Sequence, residues 1–192
     1  MYGNTKTKLI SEDTPLNPIT PYGASKLAGE KYCQVYHSSY DLSTVSLRYL
    51  NVYGERQRSN PYSGVIAIFA RRLLEGKPPV IYGDGNQTRD FIHVSDVAKA
   101  NLLALTTERG VGESFNIGTG QATSIKQLHG ILVNTTGKNV KPVFRKQRPG
   151  DIRHSCANID RARADLNFRP KVSLRDGLRL LLKFSRSFRD ES

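Results

Sequence analysis

The sequence lacks several features that would place it in a specialised class of protein. It has no tryptophan and only two cysteines in 192 residues. Cys33 and Cys156 have neither metal-ligand spacing nor the density of a disulfide framework. No apolar run approaches the length that spans a bilayer, and the first residues, MYGNTKTKLISED, lack the apolar core of a signal peptide. We therefore expect a soluble, cytoplasmic protein with no membrane partner.

Acidic residues are scarce relative to basic ones. There are 29 Lys and Arg against 17 Asp and Glu, a formal net charge of +12, and the pI is about 9.9. Such an excess indicates anionic partners, whether nucleotide diphosphates, nucleic acid or an acidic membrane. The positive charges are spread along the chain, however, and no nucleic-acid-binding motif accompanies them. A solvated basic surface is the simpler interpretation, and we expect no nucleic-acid partner.

Helical and extended patterns alternate along the chain, which predicts an α/β fold. Apolar spacing predicts six helices, over residues 21–40, 65–76, 95–110, 124–137, 159–168 and 173–188. Strands are predicted over residues 43–54 and 141–146, at the start of 113–120, and as two short runs around the Gly-Asp-Gly-Asn turn of 78–94. Thr20 before Pro21 is a good cap for the first helix, and Ser95 is the predicted cap of the third.

Two Tyr-x-x-x-Lys motifs occur near the start, YGNTK at residues 2–6 and YGASK at 22–26. Residues four apart share a face only on a helix. Tyr22 and Lys26 open a predicted helix, whereas Tyr2 and Lys6 enclose residues that favour a turn. Only the second motif can therefore hold a phenol beside an ammonium, although a surface contact at helical spacing is an alternative role for it.

Further motifs follow in order along the chain: TPYGASKLAGEKY, LRYLNVYGERQ, PVIYGDGNQTRDFIHVSDVAKA, FNIGTG and RPGD. Together they resemble the carboxyl-terminal portion of extended short-chain dehydrogenase/reductases, and most of all NAD-dependent nucleotide-sugar epimerases of the UDP-glucose 4-epimerase type. The resemblance covers residues 1 to about 182. It implies the C-terminal part of a Rossmann-like parallel sheet, plus a smaller mixed α/β substrate-binding domain.

The resemblance also implies how the chain is divided and what it does. Residues 1–58 and about 90–120 would belong to the NAD-binding domain, and about 59–89 and 121–192 to the substrate-binding domain. The implied activity is that of an isomerase, which inverts C4 of a UDP-sugar through a 4-keto intermediate with NAD as cofactor.

Each predicted site residue takes its role from this family. Tyr22 is implied as the acid–base group, Lys26 as the ligand of the nicotinamide ribose that favours the phenolate, and Tyr49 as a neighbour of the nicotinamide. The implied substrate-binding residues are Asn51, Val65, Val80, Tyr82, Arg89, Arg148, Asp151 and Ser155.

The implied substrate contacts differ in kind. Asn51, Arg89 and Arg148 would contact the diphosphate, and Val65 would border the nucleotide. Val80 and Tyr82 would pack on the uracil ring, Asp151 would hold the ribose hydroxyls, and the small Ser155 would admit a sugar with an N-acetyl group. Core packing is an alternative role for Tyr49, Val80 and Tyr82, and a simple turn is an alternative for RPGD.

One family motif does not occur among these residues, the Gly-x-x-Gly-x-x-Gly fingerprint of the dinucleotide site. We therefore expect the chain to be the back part of an epimerase that is a homodimer when complete. Alone, it should bind NAD poorly and turn over no substrate. A 4,6-dehydratase or decarboxylase of the same superfamily, or a non-catalytic basic binding module, is the alternative.

Overall fold

The computed structural model describes residues 1–5, 7–57, 64–148 and 150–190, with the backbone alone for residues 186–190. The helices are α1 Pro21–Tyr40, α2 Val65–Leu74, α3 Val94–Thr106, α4 Ile125–Thr136, α5 Asp160–Asp165 and α6 Leu174–Asp190. The strands are β1 Ser46–Tyr49, β2 Asn51–Tyr53, β3 Val80–Tyr82, β4 Thr88–His93, β5 Ser114–Ile117, β6 Ala122–Ser124, β7 Val143–Arg145 and β8 His154–Ser155. The alternation confirms the predicted α/β class.

Most strand pairs are parallel. β1 pairs with β5, β2 with β4, and β3 with β7, while β4 also pairs with β8 in parallel and with β6 in the antiparallel sense. The single strand predicted over residues 43–54 is wrong, because the chain divides at Leu50. The Leu50 amide donates to the Ile117 carbonyl at 3.0 Å, and from Asn51 onward the chain pairs with β4 instead.

Two helix caps were predicted from the sequence, and the structure confirms one and corrects the other. The first helix is confirmed: Thr20 Oγ1 accepts the Gly23 amide at 3.1 Å, and Pro21 opens the helix. The prediction of Ser95 as the cap of α3 is wrong. α3 begins at Val94, and its cap is His93, whose Nδ1 accepts the Ser95 amide at 3.3 Å.

Two clusters of buried apolar residues hold the elements together. The first joins α2, α4 and α6 to β3 and β4 through Phe69, Leu128 and Leu178, which are fully buried. The second joins β5 to α3 and to the α5 segment, where Phe115 and Phe168 are fully buried. The division into two domains stays a prediction. No helix within the described ranges is long and apolar enough to cross a membrane.

Candidate functional site

The two tyrosines of the Tyr-x-x-x-Lys motifs lie in different surroundings. Tyr22 is in the first turn of α1 and is 73% exposed, and Lys26 Nζ lies 5.3 Å from its ring centroid. Tyr2 is tied down instead: its hydroxyl donates to Asn116 Oδ1 at 2.7 Å and accepts from Arg48 Nη1 at 2.6 Å. Burial raises the pKa of Tyr2, and Lys6 lies outside the described residues. Of these two tyrosines, Tyr22 is therefore the exposed one, and Tyr2 is the one whose hydroxyl is engaged within the protein.

A cavity of about 860 Å³ opens between α1 and the ends of β1 and β2. It brings together five predicted site residues from four elements: Tyr22, Lys26, Tyr49, Asn51 and Ser155. The Tyr49 hydroxyl donates to Asn101 Oδ1 at 2.9 Å, and Asn51 Nδ2 donates to the Asp90 carbonyl at 3.2 Å. Two phenols, an ammonium and one side-chain amide therefore line one space, where they can bind hydroxyls and move a proton.

A second cavity, of about 290 Å³, contains the other six predicted residues. These are Val65, Val80, Tyr82, Arg89, Arg148 and Asp151. Arg89 Nη2 donates to Asp151 Oδ1 at 2.6 Å, and Arg89 Nη1 donates to the Thr88 carbonyl at 2.8 Å. Burial lowers the pKa of Arg89 and the Asp151 carboxylate opposes that shift. The guanidinium is thus fixed in place before any anion binds.

Arg148 lies on the face of Tyr82 in this smaller cavity. Its guanidinium carbon is 3.8 Å from the ring centroid, the geometry of a cation–π contact. Hydrogen bonding from Arg148, and then its charge, lowers the pKa of the Tyr82 phenol. Tyr82 and Arg148, which the family resemblance implies as partners of the uracil ring and the diphosphate, therefore contact each other.

One rung of the sheet joins the two cavities. Arg89 of β4 and Ser155 of β8 are register partners, and Arg89 lines the smaller cavity while Ser155 lines the larger. The fully buried Asp90 fixes this rung: its carboxylate accepts hydrogen bonds from the Thr119 and Gly120 amides and from the Ala157 amide, at 2.8–3.2 Å. Residues of both cavities therefore lie side by side on this rung.

Sequence reasoning missed three residues of these sites. Arg72 and Gln87 line the smaller cavity, and Asp90 positions the rung. The sequence did contain patterns that could have indicated Arg72 and Gln87. Arg72 follows Val65 by seven residues, so it shares that face of the helix. Gln87 alternates with Arg89 along an extended segment, so the two side chains share one side of it. For Asp90 no sequence pattern indicates that distant amides converge on its carboxylate.

Comparison with known proteins gives a consistent result. The family model described as "NAD dependent epimerase/dehydratase family" matches residues 1–118. A putative UDP-glucose 4-epimerase of Methanocaldococcus jannaschii is 39% identical over 187 residues, which cover 97% of this chain and 60% of that relative. The chain therefore spans about 60% of the length of this relative.

Solved structures agree with the sequence relatives. The UDP-glucose 4-epimerase of Thermotoga maritima, solved with UDP-glucose, is similar with a TM-score of 0.93 and 42% identity. A UDP-N-acetylglucosamine 4-epimerase from Methanobrevibacter ruminantium, in complex with UDP-N-acetylmuramic acid, also has a TM-score of 0.93, at 36% identity. Each match covers 97% of this chain and 60% of the other.

Proposed function

The chain belongs to the NAD-dependent epimerase/dehydratase family, and we propose that it carries the catalytic pair and the nucleotide site of a UDP-sugar 4-epimerase. One observation supports this most: a cavity with Tyr22 and Lys26 adjoins a cavity with Arg89 and Asp151, and they meet at one rung of the sheet. The two cavities suit the sugar and the nucleotide of one ligand.

The larger cavity would hold the nicotinamide–ribose end of NAD beside the sugar. Lys26 would bind the ribose hydroxyls, and Tyr22 and Tyr49 would border the ring, since all three line a space of about 860 Å³. NAD would supply the hydride acceptor and donor for C4 of the sugar. Tyr22 would take the proton of the C4 hydroxyl and return it, with the Lys26 ammonium favouring the phenolate.

The smaller cavity would hold the uridine diphosphate. Arg89 and Arg148 provide guanidinium groups, which suit phosphate oxygens through paired N–H donors. Asp151 would accept hydrogen bonds from the ribose hydroxyls, and Val80 and Tyr82 would provide the surface for uracil. Asn51 would contact the diphosphate where the two cavities meet, and Val65 would border the nucleotide at the start of α2.

The sugars that we propose are glucose and galactose, together with their N-acetylated forms. Ser155 is small and lines the larger cavity, which leaves room for an acetamido group. The similar enzyme of Methanobrevibacter ruminantium, a UDP-N-acetylglucosamine 4-epimerase, supports this breadth.

Two further proposals concern the setting in which the enzyme works. It would act in the cytoplasm, and the complete enzyme would be a homodimer built through α1. This helix exposes large side chains along one face, and Tyr32, Tyr36 and Tyr40 are 50–73% exposed.

The isolated chain would bind UDP but hold NAD weakly and turn over no UDP-sugar, because its residues include no glycine-rich phosphate loop. Calorimetric titration of the purified chain with UDP tests the nucleotide site. Arg89→Met should weaken binding by about tenfold or more, since it removes a guanidinium that would pair with the phosphate oxygens. Arg153→Met is the matched control, because Arg153 pairs with Asp84 outside both cavities.

Two results would contradict the proposal. A folded chain that does not bind UDP would overturn the nucleotide site. Stoichiometric NAD in the purified chain, or turnover of a UDP-sugar, would overturn the inactivity of the isolated chain.

A further inference from the structure

Gln87 lines the smaller cavity and carries an unsatisfied hydrogen-bond acceptor. The residue is only 7% exposed, and its Nε2 donates to the Tyr82 carbonyl at 2.7 Å. Its Oε1 is buried and has no hydrogen-bond partner among the described residues. Buried polar groups nearly always have a partner, and an orphaned acceptor is therefore a candidate for ligand contact.

The orientation of the Gln87 amide is fixed. Turning it by half a rotation would aim Oε1 at the Tyr82 carbonyl, so that two acceptors would face each other and a buried hydrogen bond would be lost. The Gln87 backbone is held as well, since its carbonyl accepts the Ile125 amide at 3.1 Å. The side chain can therefore present an acceptor to a ligand, but it cannot present a donor without breaking its own anchor.

A cationic donor lines the same cavity. Arg72 lines the cavity, and its Nε donates to the Pro78 carbonyl at 2.7 Å, two residues before Val80. The Arg89–Asp151 ion pair, by contrast, joins strand β4 to the loop that contains Asp151. The cavity that Val80 and Tyr82 line therefore also contains a fixed acceptor, from Gln87, and a second guanidinium, from Arg72.

We infer that Gln87 Oε1 accepts the N3–H of a pyrimidine imide, so that this residue selects uracil or thymine over cytosine. This inference rests on the proposed function for the placement of the nucleotide. Uracil presents an N3–H donor, which suits the unpaired Gln87 acceptor. Cytosine presents a bare N3 lone pair, and this lone pair would face Gln87 Oε1.

Access to Gln87 Oε1 requires a side chain to move, because the atom is closed to solvent in the free chain. Arg148 is the exposed group that covers Tyr82, at 3.8 Å from its ring centroid. The base displaces the Arg148 guanidinium from the ring, and the guanidinium then lies free to meet the diphosphate.

Calorimetry on the full chain with four nucleotides tests the inference. UDP and CDP share ribose and diphosphate, so their difference isolates the base. We expect CDP and N3-methyl-UDP to bind about tenfold or more weakly than UDP, because each leaves the Gln87 acceptor unpaired. UDP methylated at C5 keeps the imide and should bind within about threefold of UDP.

Gln87→Met should remove the discrimination between UDP and CDP, while the exposed Gln121→Met control should keep it. The four-nucleotide comparison uses the unaltered chain, so it decides the matter even if Gln87→Met does not fold. Equal affinity for UDP, CDP and N3-methyl-UDP would overturn the role of Gln87 and leave the proposed nucleotide site standing. No binding of UDP at all would overturn the nucleotide site and this inference with it.

Discussion

Arg48 holds the Glu30 carboxylate with two nitrogens: Nε lies 2.7 Å from Oε2, and Nη2 lies 2.6 Å from Oε1. Their side chains are 9% and 4% exposed. The pair joins β1 to α1, and apart from Glu30 the only buried residue of α1 is Gly23. The helix that bears Tyr22 and Lys26 is therefore docked on the sheet largely by one buried ion pair.

Breaking this pair on one side should destabilise the fold strongly. Glu30→Leu leaves the Arg48 guanidinium buried without its counter-ion, which costs about 3–5 kcal/mol in comparable pairs. The double variant Glu30→Leu/Arg48→Met removes both charges and should recover much of that loss. Urea unfolding of the wild type and the two variants measures the difference. The exposed Asp84–Arg153 pair is the control, and a Glu30→Leu chain as stable as wild type would contradict the prediction.

Asp90 should determine the rigidity of the rung between the two cavities. Asp90→Asn replaces one carboxylate oxygen by an amino group, which cannot accept from the Gly120 and Ala157 amides. We expect a loss of at least about 2 kcal/mol of stability, because buried donors are left unpaired. Amide exchange followed by NMR should show faster exchange at Gly120 and Ala157 than in wild type. Unchanged exchange at both amides would rule this role out.

Stability should fall at alkaline pH partly through Cys156. Burial, and then the nearby Asp90 charge, raises the pKa of this thiol from 9.0 to about 11. Because the thiol holds its proton more tightly in the folded state, its contribution to the free energy of unfolding is complete below pH 9. This contribution is lost as the pH rises through about 11 and the thiol ionises. The stability difference between wild type and Cys156→Ala should therefore shrink across this window. Urea titrations at several pH values measure it, with Cys33→Ala as the matched thiol control, and a difference that stays constant would refute the assignment.

Ser155 should control the room for the substituent at C2 of the sugar. Ser155→Tyr fills part of the larger cavity, so affinity for UDP-N-acetylglucosamine should fall by about tenfold or more. Affinity for UDP-glucose should stay within about threefold of wild type. Calorimetry with both ligands gives the ratio, and Ser155→Ala should leave it unchanged. Equal losses for both sugars in Ser155→Tyr would contradict a gate at this position.

Several elements of the fold could be predicted because their causes are local. The first helix and its Thr20 cap depend on residues close together in the chain, and the predicted bounds agree with the structure. The break at Leu50 was missed because it depends on which strand each half meets, and β5 and β4 lie far along the chain. The two-residue strand β8 was also missed. A segment so short has no periodicity, and its partner β4 lies far away in the chain.

The candidate site was also predictable in part. The resemblance supplied eleven residues, and the structure places all of them in two adjoining cavities. Their individual roles stay predictions. Gln87, Arg72 and Asp90 were not predicted, because each owes its importance to contacts with residues that the sequence does not place beside it.

By itself, the sequence determined the α/β class, the helix that opens with Tyr22 and Lys26, and the family, because propensities, caps and ordered motifs are properties of the linear chain. Only the tertiary structure decided what becomes of the other YG-x-x-K tyrosine, Tyr2. Tyr2 and Tyr22 stand in nearly identical motifs, yet Tyr2 is bound by Arg48 and Asn116, while Tyr22 is exposed beside Lys26. The reason is physical: long-range burial and hydrogen bonding set a side chain's environment, and these contacts exist only once β1, β5 and α1 have packed together.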